Sequence, residues 1–441
     1  MISRKVGMIS LGCPKNQVDG EALLVKLKAA GYEIVNNIEQ SDVMIVNTCG
    51  FIEEAKREAI DTILEVAEYK NAGVISALVV TGCLAQRYQD EIIKEMPEVD
   101  AVLGIGANSD IVKVCDKALC GITTTSFPNK CYLSINDERM LSTPSHWAYL
   151  KIAEGCDNKC SYCAIPAIRG GFRSRKIEDC VTEAKSLAQR GVKELILIAQ
   201  DTTKYGQDLY GKYSLDELLK QLVKIDGIEW IRLFYCYPQR ITDSLIDVIA
   251  SEDKICSYID IPLQHADKTV LRNMNRVGDG EDYKKLLSKM RAAIPDLALR
   301  TTFMVGFPGE TDEQFEHLCE FVEDIKFDKM GCFTFSPEED TPAYDMDNQI
   351  DEDVKKRRQE VLMNKQYSIT EELNKQRIGK EYKVIIDDFD GEKYVGRSYM
   401  DSPEIDSGII FTSSEKLKIG EFVKVKIADY DGYDLIGEAI L

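Results

Sequence analysis

Gly155-Cys156-Asp157-Asn158-Lys159-Cys160-Ser161-Tyr162-Cys163 packs three thiols into eight residues and supplies no fourth ligand beside them. A structural zinc site takes four protein ligands in a closed tetrahedron. The nearest other candidates, His146 and Cys180, lie ten residues before Cys156 and seventeen after Cys163, without ligand-pair spacing. Three thiolates instead suit a cubane 4Fe-4S cluster, with three irons held by cysteine and one left open for another molecule. An incomplete zinc knuckle or a chance grouping is the competing reading of the same spacing.

C-x3-C-x2-C with an aromatic, Tyr162, directly before the last cysteine resembles the signature of the radical S-adenosylmethionine (SAM) enzymes. The resemblance implies that the open iron chelates the amino and carboxylate groups of SAM. It implies too that an electron from the cluster splits the sulfonium to give a 5'-deoxyadenosyl radical. Proteins assign a C–H bond too inert for a general base to a cofactor of this kind.

Around the motif, residues 142 to 375 read as a second domain. Six strand candidates, Ala148–Ile152, Glu194–Ala199, Trp230–Tyr235, Tyr258–Ile261, Leu299–Val305 and Lys329–Phe335, are each trailed by helical sequence. Six such repeats suit an incomplete, TIM-like (β/α)6 barrel with its active-site groups at the strand carboxyl ends. Gln200, Gln264 and Gly306 follow the second, fourth and fifth strands and are candidates for holding SAM. The turn Gly306–Thr311 has a structural reading as well, because Thr311 with Gln314 makes a capping-box pattern. Arg169, Arg173, Arg175 and Lys176 form either a solvated basic loop or a device that steers a carboxylate toward the barrel mouth. His265 reads as a satisfied structural histidine. The charged stretch Asp351–Ile378 reads as a connecting helix.

Residues 1 to 120 alternate strand and helix in the order of a doubly wound parallel sheet. Leu11-Gly12-Cys13, Asn47-Thr48-Cys49 and Thr81-Gly82-Cys83 each close a strand at its carboxyl end. In an open parallel sheet such ends line one crevice. Each cysteine is then either a small buried hydrophobe or one of three ligands of a second cluster. Ser10-Leu11-Gly12-Cys13-Pro14-Lys15-Asn16 with Val18-Asp19, together with the other two triplets, resembles the amino-terminal domain of the methylthiotransferases, which implies a second 4Fe-4S cluster that holds the sulfur to be inserted. Cysteines 115, 120, 131, 180, 236, 256, 319 and 332 show no ligand pattern and read as packing residues. Residues 121–141 read as a linker.

From residue 376 the period shortens to five strands with Asp390-Gly391 and Asp431-Gly432 as hairpin turns, which suits a small antiparallel β-barrel. Val395-Gly396-Arg397-Ser398 resembles a TRAM domain, a module often used on RNA. Residues 375 to 441 hold 10 Lys or Arg against 14 Asp or Glu, which favours a basic protein surface over a phosphate backbone.

The whole chain shares that balance, with 75 Asp plus Glu against 55 Lys plus Arg and a net charge of -20. Nucleic-acid binders usually show the opposite sign. Met1–Lys5 precedes only a short apolar run, and no apolar segment approaches the roughly 18 residues of a membrane span, so a cytoplasmic chain with no membrane partner is expected.

Taken together the motifs resemble the radical SAM methylthiotransferase family over nearly the entire chain. The resemblance implies replacement of C–H by C–S–CH3, with one SAM as methyl donor at the Cys13/Cys49/Cys83 cluster and another as radical source at the Cys156/Cys160/Cys163 cluster. The two cysteine motifs, with Arg169-Gly170, resemble the branch that converts an aspartate of small-subunit ribosomal protein S twelve to 3-methylthioaspartate, although Gln17 and Gly20 stand where that branch has leucine and serine. The partners so implied are that basic protein or its subunit, an electron donor and a sulfur source, with RNA contact secondary. The alternatives are methylthiolation of a tRNA adenosine beside the anticodon and a non-enzymatic, cluster-stabilised ribosome-binding protein. Anaerobically reconstituted protein is expected to carry iron, to absorb across the visible range and to cleave SAM; iron-free protein, or SAM left intact, would favour the scaffold.

Overall fold

Short aliphatic runs alternate with helices from Lys5 to Ser126 and pair as one six-stranded parallel sheet. Its strands are β1 (Lys5–Ser10), β2 (Glu33–Ile34), β3 (Val43–Thr48), β4 (Ala77–Gly82), β5 (Ala101–Leu103) and β6 (Thr124–Ser126), in the order β2-β1-β3-β4-β5-β6. The structure, a computed structural model, describes residues 4–130 and 138–441, which divide into two units. β3 and β4 are buried at every residue, as strands covered on both faces must be. Val43, Ile45 and Val79 face Leu23, Leu27 and Val114 of the helices Pro14–Ala29 and Ile111–Leu119. Met44, Val46 and Val80, one residue out of phase, face Ile63, Val66 and Leu84 on the other side. The sheet is therefore doubly wound, and its order reverses between β1 and β3, where such sheets bind ligands beyond their carboxyl ends.

Local details depart from the sequence reading. The first helix starts at Pro14 rather than Val18, with Cys13 as its N-cap, because proline lacks the N–H that a first turn leaves unpaired. The helix expected from Ala85 to Glu95 is two, Cys83–Tyr88 and Asp90–Glu95, separated by Gln89 at φ 47°. Within the stretch 121–141, Thr124–Ser126 is the edge strand β6 and not a linker; its Thr-Thr-Ser sequence pairs through backbone alone, without an apolar run. Cys131 lies outside the described residues. Lys151–Arg175 and Ser336–Tyr344 pack with this first unit although sequence order places them in the second expected domain.

The second unit comprises Thr143–Leu150, Lys176–Phe335 and Asp345–Leu441. Its sheet consists of β7 (Trp147–Lys151), β8 (Glu194–Ile198), β9 (Trp230–Leu233), β10 (Ile255–Gln264), β11 (Ala298–Val305) and β12 (Lys329–Thr334), arranged in chain order. Each neighbouring pair from β8 to β12 is parallel, which with the intervening helices gives an open (β/α)6 arrangement. The helix Glu352–Arg377 then leads to a closed barrel of β13 (Glu381–Phe389), β14 (Tyr394–Arg397), β15 (Ile409–Thr412), β16 (Phe422–Asp431) and β17 (Asp434–Ile440). Four junctions are antiparallel, and β15 with β17 is parallel. A closed ring of five strands cannot alternate direction at every junction, so one parallel pair is a geometric necessity. Among the described residues no helix is long and apolar enough to cross a membrane.

Within this unit the small barrel is tied to β8–β12 by buried charge. Glu194 accepts from Arg232 Nε at 2.7 Å and from Arg397 Nη1 at 2.6 Å, and Arg232 Nη1 donates to the Tyr399 carbonyl at 2.6 Å. Tyr258 and Arg300 both bond Asp406, Lys329 pairs with Asp401, and His146 with Asp387. Burial pushes the Glu194 carboxyl up, but Arg397 and Arg232 more than reverse it, and its pKa ends below the ordinary value. Asp401, opposed by burial and held by Lys329, is lowered in the same way. A carboxylate lowered in the folded state contributes stability that is complete above its unfolded pKa, about 4, and is lost as pH falls through the lowered value. The urea midpoint should therefore drop below about pH 4. Glu194→Gln should flatten that drop while costing about 3–5 kcal/mol at neutral pH, since it leaves buried arginine charge unopposed. Denaturation across pH followed by circular dichroism measures both.

Candidate active site

Cys13, Cys49 and Cys83 stand at the carboxyl ends of β1, β3 and β4, the two sides of the order reversal and the strand beyond. A Cβ on Gly12, whose φ is +84°, would lie 2.6 Å from Cys49 Cβ and 2.8 Å from its Sγ, so only glycine lets the first loop lie against the second. Two asparagines brace these ends. Asn16 Nδ2 donates to the carbonyls of Leu11 at 2.9 Å and Thr48 at 3.2 Å, while Asn47 Nδ2 donates to Ser10 Oγ at 2.9 Å and Asn16 O at 2.8 Å.

The three thiols feel one another. Burial and the charge of Cys13 raise Cys49, and burial pushes Cys83 up to about 12 against the pull of Arg169. Burial also acts on Cys13, but Lys15, Arg169 and the amides of Asn16 and Lys15 reverse it, leaving Cys13 below the ordinary thiol range and first to ionise. The remaining cysteines differ. Burial raises Cys115, Cys256 and Cys332 to about 12 and Cys319 to about 11, as packing thiols; Cys180 and Cys236 are buried, whereas Cys120 is exposed.

Cys156, Cys160 and Cys163 share one loop of the same unit. A short antiparallel ladder, Ala153–Glu154 with Arg173–Ser174, closes its base. Inside it Cys156 N donates to Gly170 O at 3.0 Å, Phe172 N to Asp157 at 2.9 Å and Cys163 N to Cys160 O at 3.1 Å. Asn158 N donates to Cys156 Sγ at 3.4 Å. Ala343 N reaches Ser161 O at 2.8 Å, and in the same strap the buried Glu338 takes Arg87 at 2.7 Å and Lys56 at 3.1 Å. Among the described residues no three His, Cys, Asp or Glu side chains are grouped as ligands of one metal ion. Thiolates that hold separate irons at the corners of a cubane stand farther apart than that, and an all-sulfur donor set of three fits an iron–sulfur cluster with one open iron.

Arg169, on the helix Ile165–Arg169 after this loop, is 1% exposed. Its Nη1 donates to Asp19 Oδ2 at 2.8 Å and to both Glu154 oxygens at 3.1 Å; Nη2 reaches Asn16 Oδ1 at 3.4 Å and Cys83 Sγ at 3.3 Å. Lys151 completes the group, bonding Asp19 and, at 2.9 Å, Glu154. Burial raises the Glu154 carboxyl, and Arg169 with Lys151 drive it far below the ordinary range. The basic run, read as either a solvated loop or a carboxylate-steering device, is thus partly interior, since Arg175 is also buried and donates to Lys151 O at 2.9 Å. Asp19, Lys151 and Glu154 carried no short-range motif and were not legible as a set.

In the second unit Gln200, Gln264 and Gly306 sit just beyond the carboxyl ends of β8 and β11 and at the last residue of β10, where Gln264 adopts φ 73°. The amides of Gly306 and Phe307 are both taken by the buried Glu310 carboxylate, and Thr311 with Gln314 forms the capping box. His265 is fully buried, with Nδ1 accepting from Asp267 N at 2.9 Å.

Family models match three stretches: an uncharacterized protein family, UPF0004, over residues 5–104, the radical SAM superfamily over 150–322 and a TRAM domain over 378–440. The chain is 50% identical to the ribosomal protein uS12 methylthiotransferase RimO of Acetivibrio thermocellus, over 100% of this chain and 99% of that protein. It is 52% identical to the RimO of Clostridium botulinum, over 99% and 98%. Among solved structures, the radical SAM methyltransferase TsrM of Kitasatospora setae, with cobalamin and a 4Fe-4S cluster bound, shares the fold at TM-score 0.59 and 14% identity, covering 78% of this chain and 77% of that one.

Gly155 has φ +77°, and a Cβ there would meet Gly171 O at 2.2 Å and Gly170 O at 2.6 Å. Gly155→Ala should stop the second cysteine loop from closing, so reconstituted iron should fall by half or more. Colorimetric iron and sulfide counts test this, and full iron would refute it.

Proposed function

The chain belongs to the RimO family of ribosomal protein uS12 methylthiotransferases, and from that membership we propose that it methylthiolates the β-carbon of an aspartate in uS12. It is a radical SAM transferase whose cofactors are 4Fe-4S clusters and SAM. In this reading Cys156, Cys160 and Cys163 hold the cluster that binds SAM, and Cys13, Cys49 and Cys83 hold a second. When bound, these groups supply the radical, the methyl group and the sulfur with which C–H becomes C–S–CH3. The protein's own residues ligate, brace and exclude water. The Asn158 amide donates to Cys156 Sγ, Asn16 and Asn47 lock the first two strand ends together, and buried Glu310 sets the turn after β11. Gln200, Gln264 and Gly306 hold SAM, Gly306 through groups other than its amide.

What supports the reading above all is the meeting of Cys13, Cys49 and Cys83 with Arg169, which the loop of Cys156, Cys160 and Cys163 delivers to the same unit. A net charge of -20 suits a basic ribosomal protein as substrate. The TRAM match favours an RNA contact as a second interaction, which the surplus of acidic residues in that barrel makes subordinate. An electron donor and a sulfur source complete the partners. Anaerobic incubation of the iron-loaded chain with SAM, sulfide and reductant, offering a uS12 peptide and unmodified tRNA in parallel, should give a methylthio mass gain on the peptide aspartate alone. Gain on tRNA alone would overturn the substrate.

A further inference from the structure

Arg169 is a single side chain shared by two cysteine sets. It follows Cys163 by six residues, yet it donates to Cys83 Sγ, at 3.3 Å. Ala164 and Ile168 pack on Cys83 from the same segment, so the thiol is held by apolar contact on one side and by the guanidinium on the other. The guanidinium cannot turn away, because Asp19 and Glu154 hold Nη1 and Asn16 meets Nη2. Four buried charges, those of Asp19, Lys151, Glu154 and Arg169, balance within this group, so the fork is fixed without an uncompensated ion. Asn16 also lies three residues after Cys13 and bonds the carbonyl of Thr48, the neighbour of Cys49. Arg169 is thereby fastened to the strand ends that carry all three thiols of the first set.

We propose that Arg169 is a positioning residue for the cluster of Cys13, Cys49 and Cys83, which braces the Cys83 thiolate and raises that cluster's reduction potential. The inference rests on the two-cluster reading above. A hydrogen bond and a positive charge at a ligand sulfur stabilise the reduced, more negative cluster over the oxidised one. A neutral residue there removes both effects, and a lysine keeps the charge but loses the planar fork that meets four partners at once.

Alanine at Cys156, Cys160 and Cys163 together leaves only the first set in the full chain, where redox titration followed by electron paramagnetic resonance reads one cluster. In that background Arg169→Lys should shift the potential to more negative values. Glu154→Gln with Arg169→Gln, which keeps the buried charges balanced so that the chain folds, should shift it further. Iron lost from both variants with circular dichroism unchanged would report the same brace through the ligand itself. Full iron and an unmoved potential in both would overturn the inference while leaving the two-cluster reading intact. Absence of iron from the background with Arg169 present would overturn that reading, and the inference with it.

Discussion

A guanidinium buried among two carboxylates, an amide and a thiol sets the terms for the first unit. An unpaired charge of this kind would cost several kcal/mol, so Arg169 can sit where it does only if Asp19, Glu154 and Asn16 are all in place. Those residues come from the first helix and from the base of the second cysteine loop. Satisfying one buried cation therefore brings together segments about 150 positions apart in sequence. Ala164 and Ile168 of the loop pack against Cys83, and hydrogen bonds and charge hold its base.

The second unit uses the same device for a different purpose. Glu194 and Arg232 point from parallel strands and are completed by Arg397 and by the carbonyl of Tyr399. A flexible tether would leave those groups either hydrated or unpaired, whereas here each has a partner and the small barrel is a fixed extension of its unit.

The cysteines divide by environment more sharply than by spacing. Cys115, Cys256, Cys319 and Cys332 are held as thiols chiefly by burial. Cys13 is half-buried and burial raises it too, yet two cations and two backbone amides pull it toward the thiolate. Iron takes thiolates, so the same residue type is held as an inert thiol in one place and drawn toward the form that iron takes in the other.

Much of this was legible in the chain itself. Three thiols at C-x3-C-x2-C, three more at strand ends, six strand–helix repeats and five closing strands are local patterns, set by covalent spacing and by hydrophobic period, and they determine the two cysteine sets and the layer order. The sequence could not place Arg169. Arg169, Arg173, Arg175 and Lys176 read either as a solvated basic run or as a carboxylate-steering device, because nothing within helical or strand reach marks Asp19 or Glu154 as the counter-charges of Arg169. Nor did a polar Thr-Thr-Ser announce β6, which pairs through its backbone. Tertiary structure alone decided which strand ends meet, which arginine is buried and which sulfur it touches, since pairing of buried charge depends on distance in space and not on position along the chain.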